Sequence, residues 1–350
     1  MRVRTPATSI FAVVVIGLAL CHAIVAAPQI ATSPYTEAID LYRGGLEQLA
    51  LEKLAGVMSD EIARQRDALL SAVSHRNTAE SERAAAMIRG AVMLHTARAF
   101  AAFERNNNGE FRYHLMFAQG YVEKLASLES QAPFVRTWPL LVLALLQEGR
   151  SLVSAEQFGH HARNSRGDSP EFLLALGATE EMGWWIHHEE DADPGVRGDL
   201  KDAERDYRQA IIVAPTLIEA RLRLGRVLTL RGDPEGMKIL GHIGESSEVP
   251  LQYLARLFEG DVLEKRGDIA EAERRYTTAV TLLPTGQSAC LALAHLRHAR
   301  GARSEAEQDI RSSARATDVP DTSDPWFWYA RGTAWRGPGY LEQLRVMIRK

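Results

Sequence analysis

The chain has 350 residues, 46% of them hydrophobic and 25% charged, which excludes a disordered polyampholyte and allows one elongated array or two ordinary domains. The formal net charge of −4 provides no global basic field, so nucleic acid is not expected as a partner. Ala, Leu, Arg and Glu, all strong helix formers, are abundant.

Arg2 and Arg4 precede an apolar run, Ile10 to Leu20, and a second apolar patch, Ala23 to Ala27. A basic start, an apolar middle and small residues before Pro28 read as a secretory signal, residues 1–26, cleaved near Ala26 or Ala27. The alternative is an uncleaved inner-membrane anchor, although 18 residues interrupted by His22 barely span a bilayer. The expected location is exported, periplasmic or secreted. Without residues 1–26 the chain carries 39 basic and 45 acidic residues, a net of −6. Cys290 is then the only thiol, which rules out an internal disulfide. Its place beside Leu291 and Leu293 predicts a buried core cysteine.

Residues 27–130 read as a helical N-terminal region of diverged repeats. Thr36 to Val57, Asp60 to Val73, Ala79 to Arg105 and Glu110 to Leu128 suit helices, with Asn106-Asn107-Asn108-Gly109 as a turn.

Periodicity is the dominant signal from 131 to 316. Gly198, Gly232, Gly267 and Gly301 are separated by 34, 35 and 34 residues. Gly225, Gly260 and Ala294 recur in a second phase, and Ala203, Ala272 and Ala306 in a third. Tyr207, Tyr276 and Ile310 follow those alanines by four positions, on the same helical face. Pro215 and Pro284 stop the second helix of a unit. Each unit is therefore helix, glycine turn, helix, with small residues where the helices touch. In residue type and spacing, Gly225, Gly232, Gly260, Gly267, Ala272, Tyr276, Ala279 and Pro284 resemble the tetratricopeptide repeat. The unit starting near Leu217 departs at Met237, where alanine is expected. Leu145, Gly149, Ser154 and Phe158 fit a weaker copy that departs at Val142, and Gly177 fits the first helix of the copy ending at Pro215. The 49 residues from Gly149 to Gly198 call for an inserted loop, 183–197.

The resemblance implies an all-α superhelix, a solenoid of antiparallel helix pairs. Residues 317–350 are expected to cap it, with Trp326, Trp328 and Tyr329 covering the last repeat. An exposed aromatic docking patch is the other reading.

Catalytic motifs such as GxSxG, a Walker loop, GxGxxG and CxxC are missing from the sequence. His187-His188-Glu189-Glu190-Asp191 carries metal-ligand residue types, but adjacent helical histidines point apart and HExxH spacing is missing, so no metal and no cofactor are expected. His161 falls on the stripe where alanine usually packs. The chain is read as a non-catalytic interaction scaffold of the cell envelope, binding a protein or peptide in the groove lined by first helices. The repeat phase places Glu219, Leu222, Arg226, Leu257, Asp261, Glu264, Lys265, His295 and His298 there. Known repeats that clamp a peptide's terminal carboxylate use asparagine and lysine; Arg226, Asp261 and His295 stand in those places here, so that specificity is not implied. A hydrolytic or metal-dependent enzyme using the inserted loop or the N-terminal helices is the alternative.

Overall fold

The computed structural model describes residues 34–43, 46–57, 64, 78–128, 133–148, 152–166, 169–187, 199–245, 248–315, 324–332 and 339–349. The expected signal, residues 1–26, and most of the expected loop, 188–197, lie outside them. Every regular element among the described residues is a helix. They fall into two compact units that divide between Leu128 and Glu129.

The first unit contains α1 (Pro34–Arg43), α2 (Glu47–Ala55), α3 (Thr78–Glu104) and α4 (Asn108–Leu128). The last two, 27 and 21 residues long, form an antiparallel hairpin through the turn at Arg105–Asn107, longer than any described helix of the second unit. Asn106 turns the chain with a φ of 56°, a left-handed conformation that asparagine tolerates. Ile88, Ala91, Val92, Leu94, Ala118, Val122 and Leu125 supply the hairpin core.

The second unit contains α5 (Pro133–Glu148), α6 (Leu152–Arg166), α7 (Pro170–His187), α8 (Leu200–Val213), α9 (Ile218–Leu230), α10 (Glu235–Ile243), α11 (Val249–Lys265), α12 (Ile269–Leu282), α13 (Gln287–Ala299) and α14 (Arg303–Arg315). Each odd-numbered helix packs on the even-numbered helix that follows it, so α5 to α14 form five pairs. Two further helices, α15 (Pro325–Tyr329) and α16 (Tyr340–Arg349), end the chain.

The tetratricopeptide-like pairing rests on contacts the sequence anticipates. A Cβ built on Gly177 would lie 2.7 Å from the Tyr207 ring, and one on Gly260 would lie 2.3 Å from the Tyr276 ring. Only glycine on the first helix lets the tyrosine of the second lie flat against its backbone. Gly232, Gly267 and Gly301 occupy the turns with φ of 78°, 84° and 88°, where a side chain is strained. Ala203, Ala272 and Ala306 are buried. Cys290 is buried as expected, and burial pushes its thiol pKa up.

Three register expectations shift. In α10 the close approach falls on Gly236, not on Met237: a Cβ on Gly236 would meet the Gly225 carbonyl oxygen at 2.6 Å and the Thr229 nitrogen at 2.7 Å. Gly236 is what allows this pair to close. In α6 the buried face is Ala155, Phe158, Gly159 and Ala162, while His161 is exposed. The small-residue stripe runs one position away from the expected one, and His161 points outward. The third concerns the inserted loop. Helix α7 continues through Gly183 to His187, so those five residues are helical. Burial explains the extension: Pro170 to Gly183 are buried almost all round, because α5, α6, α8 and α9 all pack against this helix.

Candidate partner-binding groove

Helix α15 lies against α11, and α16 lies against α5. The described aromatic residues of the expected cap lie on the first-helix face of the array, against α11 and the start of α13. Helix α14 is polar, and its described outer residues include Arg303, Glu305, Glu307 and Arg311.

Asp324 starts the docked segment. Its Oδ1 accepts the Trp326 N–H at 2.9 Å, capping α15, and Pro325 follows at the first helical position. Its Oδ2 accepts the Ser288 N–H at 2.7 Å and the Tyr253 hydroxyl at 3.3 Å. One side chain thus caps its own helix and ties it to α11 and α13. Trp326 stacks on Tyr329 with ring centres 5.5 Å apart, and its ring edge meets Phe258 at 5.8 Å and Trp185 at 6.4 Å.

Tyr329 reaches a buried ionic centre. Arg223 on α9 is fully buried. It donates to Glu181 at 3.2 Å, to Glu219 at 3.4 Å and to the Tyr329 carbonyl at 3.1 Å. Its guanidinium also lies 4.1 Å over the Tyr329 ring. Glu181, 1% exposed, accepts hydroxyl hydrogens from Tyr329 and, at 2.7 Å, from Tyr207. Burial by itself would lower the Arg223 pKa; the oxygens of Tyr207, Glu181, Tyr329 and Glu219 raise it instead. The Tyr329 hydroxyl is held well above its usual range by burial first and by the Glu181 charge second. The guanidinium therefore stays charged and the phenols stay neutral, as donors. Gly332, with a φ of 75°, carries the chain past Met182 and Gln147, where a Cβ would lie 2.7 Å and 2.8 Å from their side chains.

The nine residues expected in the groove divide into two groups. Glu219, Leu222, Arg226 and Leu257 are buried. Leu222 and Leu257 belong to the core between α9, α11 and the following helices, not to a wall. Arg226 donates to Asp261 at 2.6 Å and lies 4.8 Å over Phe258 and 5.4 Å over Trp185. The remaining five, Asp261, Glu264, Lys265, His295 and His298, are half-buried or exposed. Here α11 and α13 do come together as the phase requires. Lys265 donates to Asp261 at 3.0 Å, and His295 lies 3.8 Å from Glu264, which accepts the Tyr276 hydroxyl at 2.8 Å. Burial works against the Asp261 charge, but Arg226 and Lys265 outweigh it and lower the pKa.

Sequence reasoning missed Arg223 and Glu181, and with them the bonds that Tyr207 and Tyr329 make. Two acids, Glu180 and Glu181, inside the apolar run Phe172 to Trp185 were the available signal, since buried charge demands a partner. Burial, and next the charge of Glu156, push the Glu180 carboxyl up to about 7. A cleft of about 570 Å³ between α5 and α16 has Arg136 and Glu171 as its charged lining residues. No described helix is long and apolar enough to cross a membrane.

No family model and no curated protein matches the chain. Among solved structures, a MamA fragment from Desulfovibrio magneticus RS-1 is similar at 13% identity and a TM-score of 0.40, over 53% of this chain and 97% of that one. A human IFIT1 dimer with PPP-AAAA is similar at 14% identity and a TM-score of 0.40, over 89% of this chain and 68% of that one. The repeat type rests on the helix pairs and turn glycines of the chain itself.

Proposed function

We propose that this chain is a polypeptide-binding scaffold of the cell envelope, without a reaction of its own. One observation carries the reading: the first-helix face already holds a polypeptide segment, Asp324 to Gly332, through capping, aromatic and charge-assisted contacts. A surface that binds a peptide-like segment in this way has the chemistry for peptide recognition. The segment covers α7, α9 and the middle of α11, and the wall of Asp261, Glu264, Lys265, His295 and His298 beyond it stays accessible. A partner polypeptide meets that wall, where two acids, a lysine and two imidazoles alternate over two adjacent first helices. The envelope location rests on the signal-like residues 1–26.

A photo-crosslinking residue placed at position 265 or 298 of the full chain, in growing cells, tests this. The expected result is a discrete polypeptide adduct from both positions and none from position 308, on the exposed side of α14. Equal adducts at all three positions, or none at 265 and 298, would refute the groove as the binding surface.

A further inference from the structure

Away from the groove, α6 and α7 bring together three side chains of metal-ligand type. Glu156 and His160 stand four residues apart on α6, hence on one helical face. Glu180 faces them from α7, and one ligand atom from each of the three lies within 4.8 Å of the others. Glu180 is 2% exposed. Its Oε2 accepts the Asp199 N–H at 3.3 Å, while its Oε1 has no hydrogen-bond partner. His160 Nε2 lies 3.0 Å from that oxygen, yet its ring N–H is not aligned on it. A buried carboxylate oxygen beside an imidazole nitrogen, with no hydrogen bond between them, is open to a further ligand. Arg163, one turn further along α6, pairs with Asp206 instead.

We propose that Glu156, His160 and Glu180 bind a divalent transition-metal ion of the zinc class, which pins α6 to α7. The donor set decides the class. An imidazole with two carboxylates suits zinc and its first-row neighbours, whereas calcium and magnesium favour all-oxygen cages. The 3.0 Å between Nε2 and Oε1 is already close to the roughly 3.4 Å between ligands of a tetrahedral zinc site. His160 is partly exposed, which opens a path for the ion and leaves one side of the site to water. The ion also removes a defect, since a buried carboxylate oxygen without a partner is destabilising.

Calorimetric titration of the full chain with zinc chloride, after chelator treatment and desalting, tests the site. The expected result is one ion per chain. Affinity should fall by about tenfold or more in His160→Ala and in Glu156→Gln, and should not change in His187→Ala. Both weakening positions are partly exposed, so those variants keep the helicity of the parent, which circular dichroism checks. Glu180→Gln is the buried counterpart; should it lose helicity, the other two variants decide. The proposal is overturned if the parent binds no stoichiometric zinc, if His160→Ala and Glu156→Gln bind like the parent, or if magnesium chloride binds as tightly as zinc.

Discussion

Each unit buries a polar centre, and the two are built on opposite principles. In the first, His95 is fully buried, bonded through Nδ1 to His114 Nδ1 at 2.9 Å and through Nε2 to the Tyr35 hydroxyl at 3.4 Å. Tyr35 continues to Tyr121 at 3.1 Å, and Phe117 stacks on His95 with ring centres 5.6 Å apart. This chain of bonds is neutral: one imidazole donates to the other, which two imidazoliums cannot do. In the second unit Arg223 pairs with Glu181, and tyrosine hydroxyls and a carbonyl oxygen satisfy the remaining donors and acceptors. A neutral network joins neighbouring helices cheaply, but acid can break it. An ionic one needs every partner present, including Tyr329, 106 residues away from Arg223.

The largest test of that contrast removes one charge. Arg223→Met leaves Glu181 buried and uncompensated and should cost about 3–5 kcal/mol in chemical denaturation. Replacing Glu181 by Leu in the same chain should recover part of that loss; no recovery would mean that packing, not charge, holds this centre.

Acid should act on the other centre. The His95 pKa is lowered from 6.5 to about 3, by burial first and the neighbouring His114 second. The His114 pKa is lowered to about 4, by burial first and Arg98 second, against an opposing pull from Glu110. Their folded values lie below the unfolded one, so the unfolded chain takes up protons first. The stability they contribute is complete above about pH 6.5 and is lost as pH falls towards 3 to 4. At pH 5 the loss should be about 2 kcal/mol for one of the pair. Hydrogen exchange, corrected for intrinsic rate, should show Ile88 to Val122 losing protection between pH 7.5 and 5 more than Leu251 to Ala279. Equal loss would contradict the neutral centre.

Tyr329→Phe keeps the ring under Arg223 and removes only the hydroxyl donated to Glu181, so about 1–3 kcal/mol is expected. A change near zero in its unfolding midpoint would mean that the α15 segment is held by its aromatic and backbone contacts alone. The smallest effect belongs to the open wall. Lys265→Glu, on a side chain 65% exposed, should shift stability by no more than about 0.5 kcal/mol. A larger loss would show that the wall is part of the structural framework.

Much of the array is legible in the residues because its rules are local. A glycine turn needs a left-handed φ, and a tyrosine lying on a helix backbone needs a glycine beneath it, so Gly232, Gly267 and the Gly260–Tyr276 pair are visible as spacing. The site was less legible. Asp261 with Lys265 is an i,i+4 pair on one helix, and Glu264 with His295 follows from stacking neighbouring repeats, as the repeat phase predicts. Leu222 and Arg223 differ by one residue, about 100° around the helix, and which of them meets another segment depends on that segment.

The sequence by itself determined the helix pairs, their turns and the small residues at their contacts, because each depends on partners within about 35 residues along the chain. The tertiary structure alone decided where the C-terminal aromatics go and that Glu181 becomes buried beneath them. These depend on contacts between segments remote in the chain, Tyr329 and Glu181 being 148 residues apart. No local periodicity encodes such contacts; burial and the satisfaction of buried charge select them once the helices have packed.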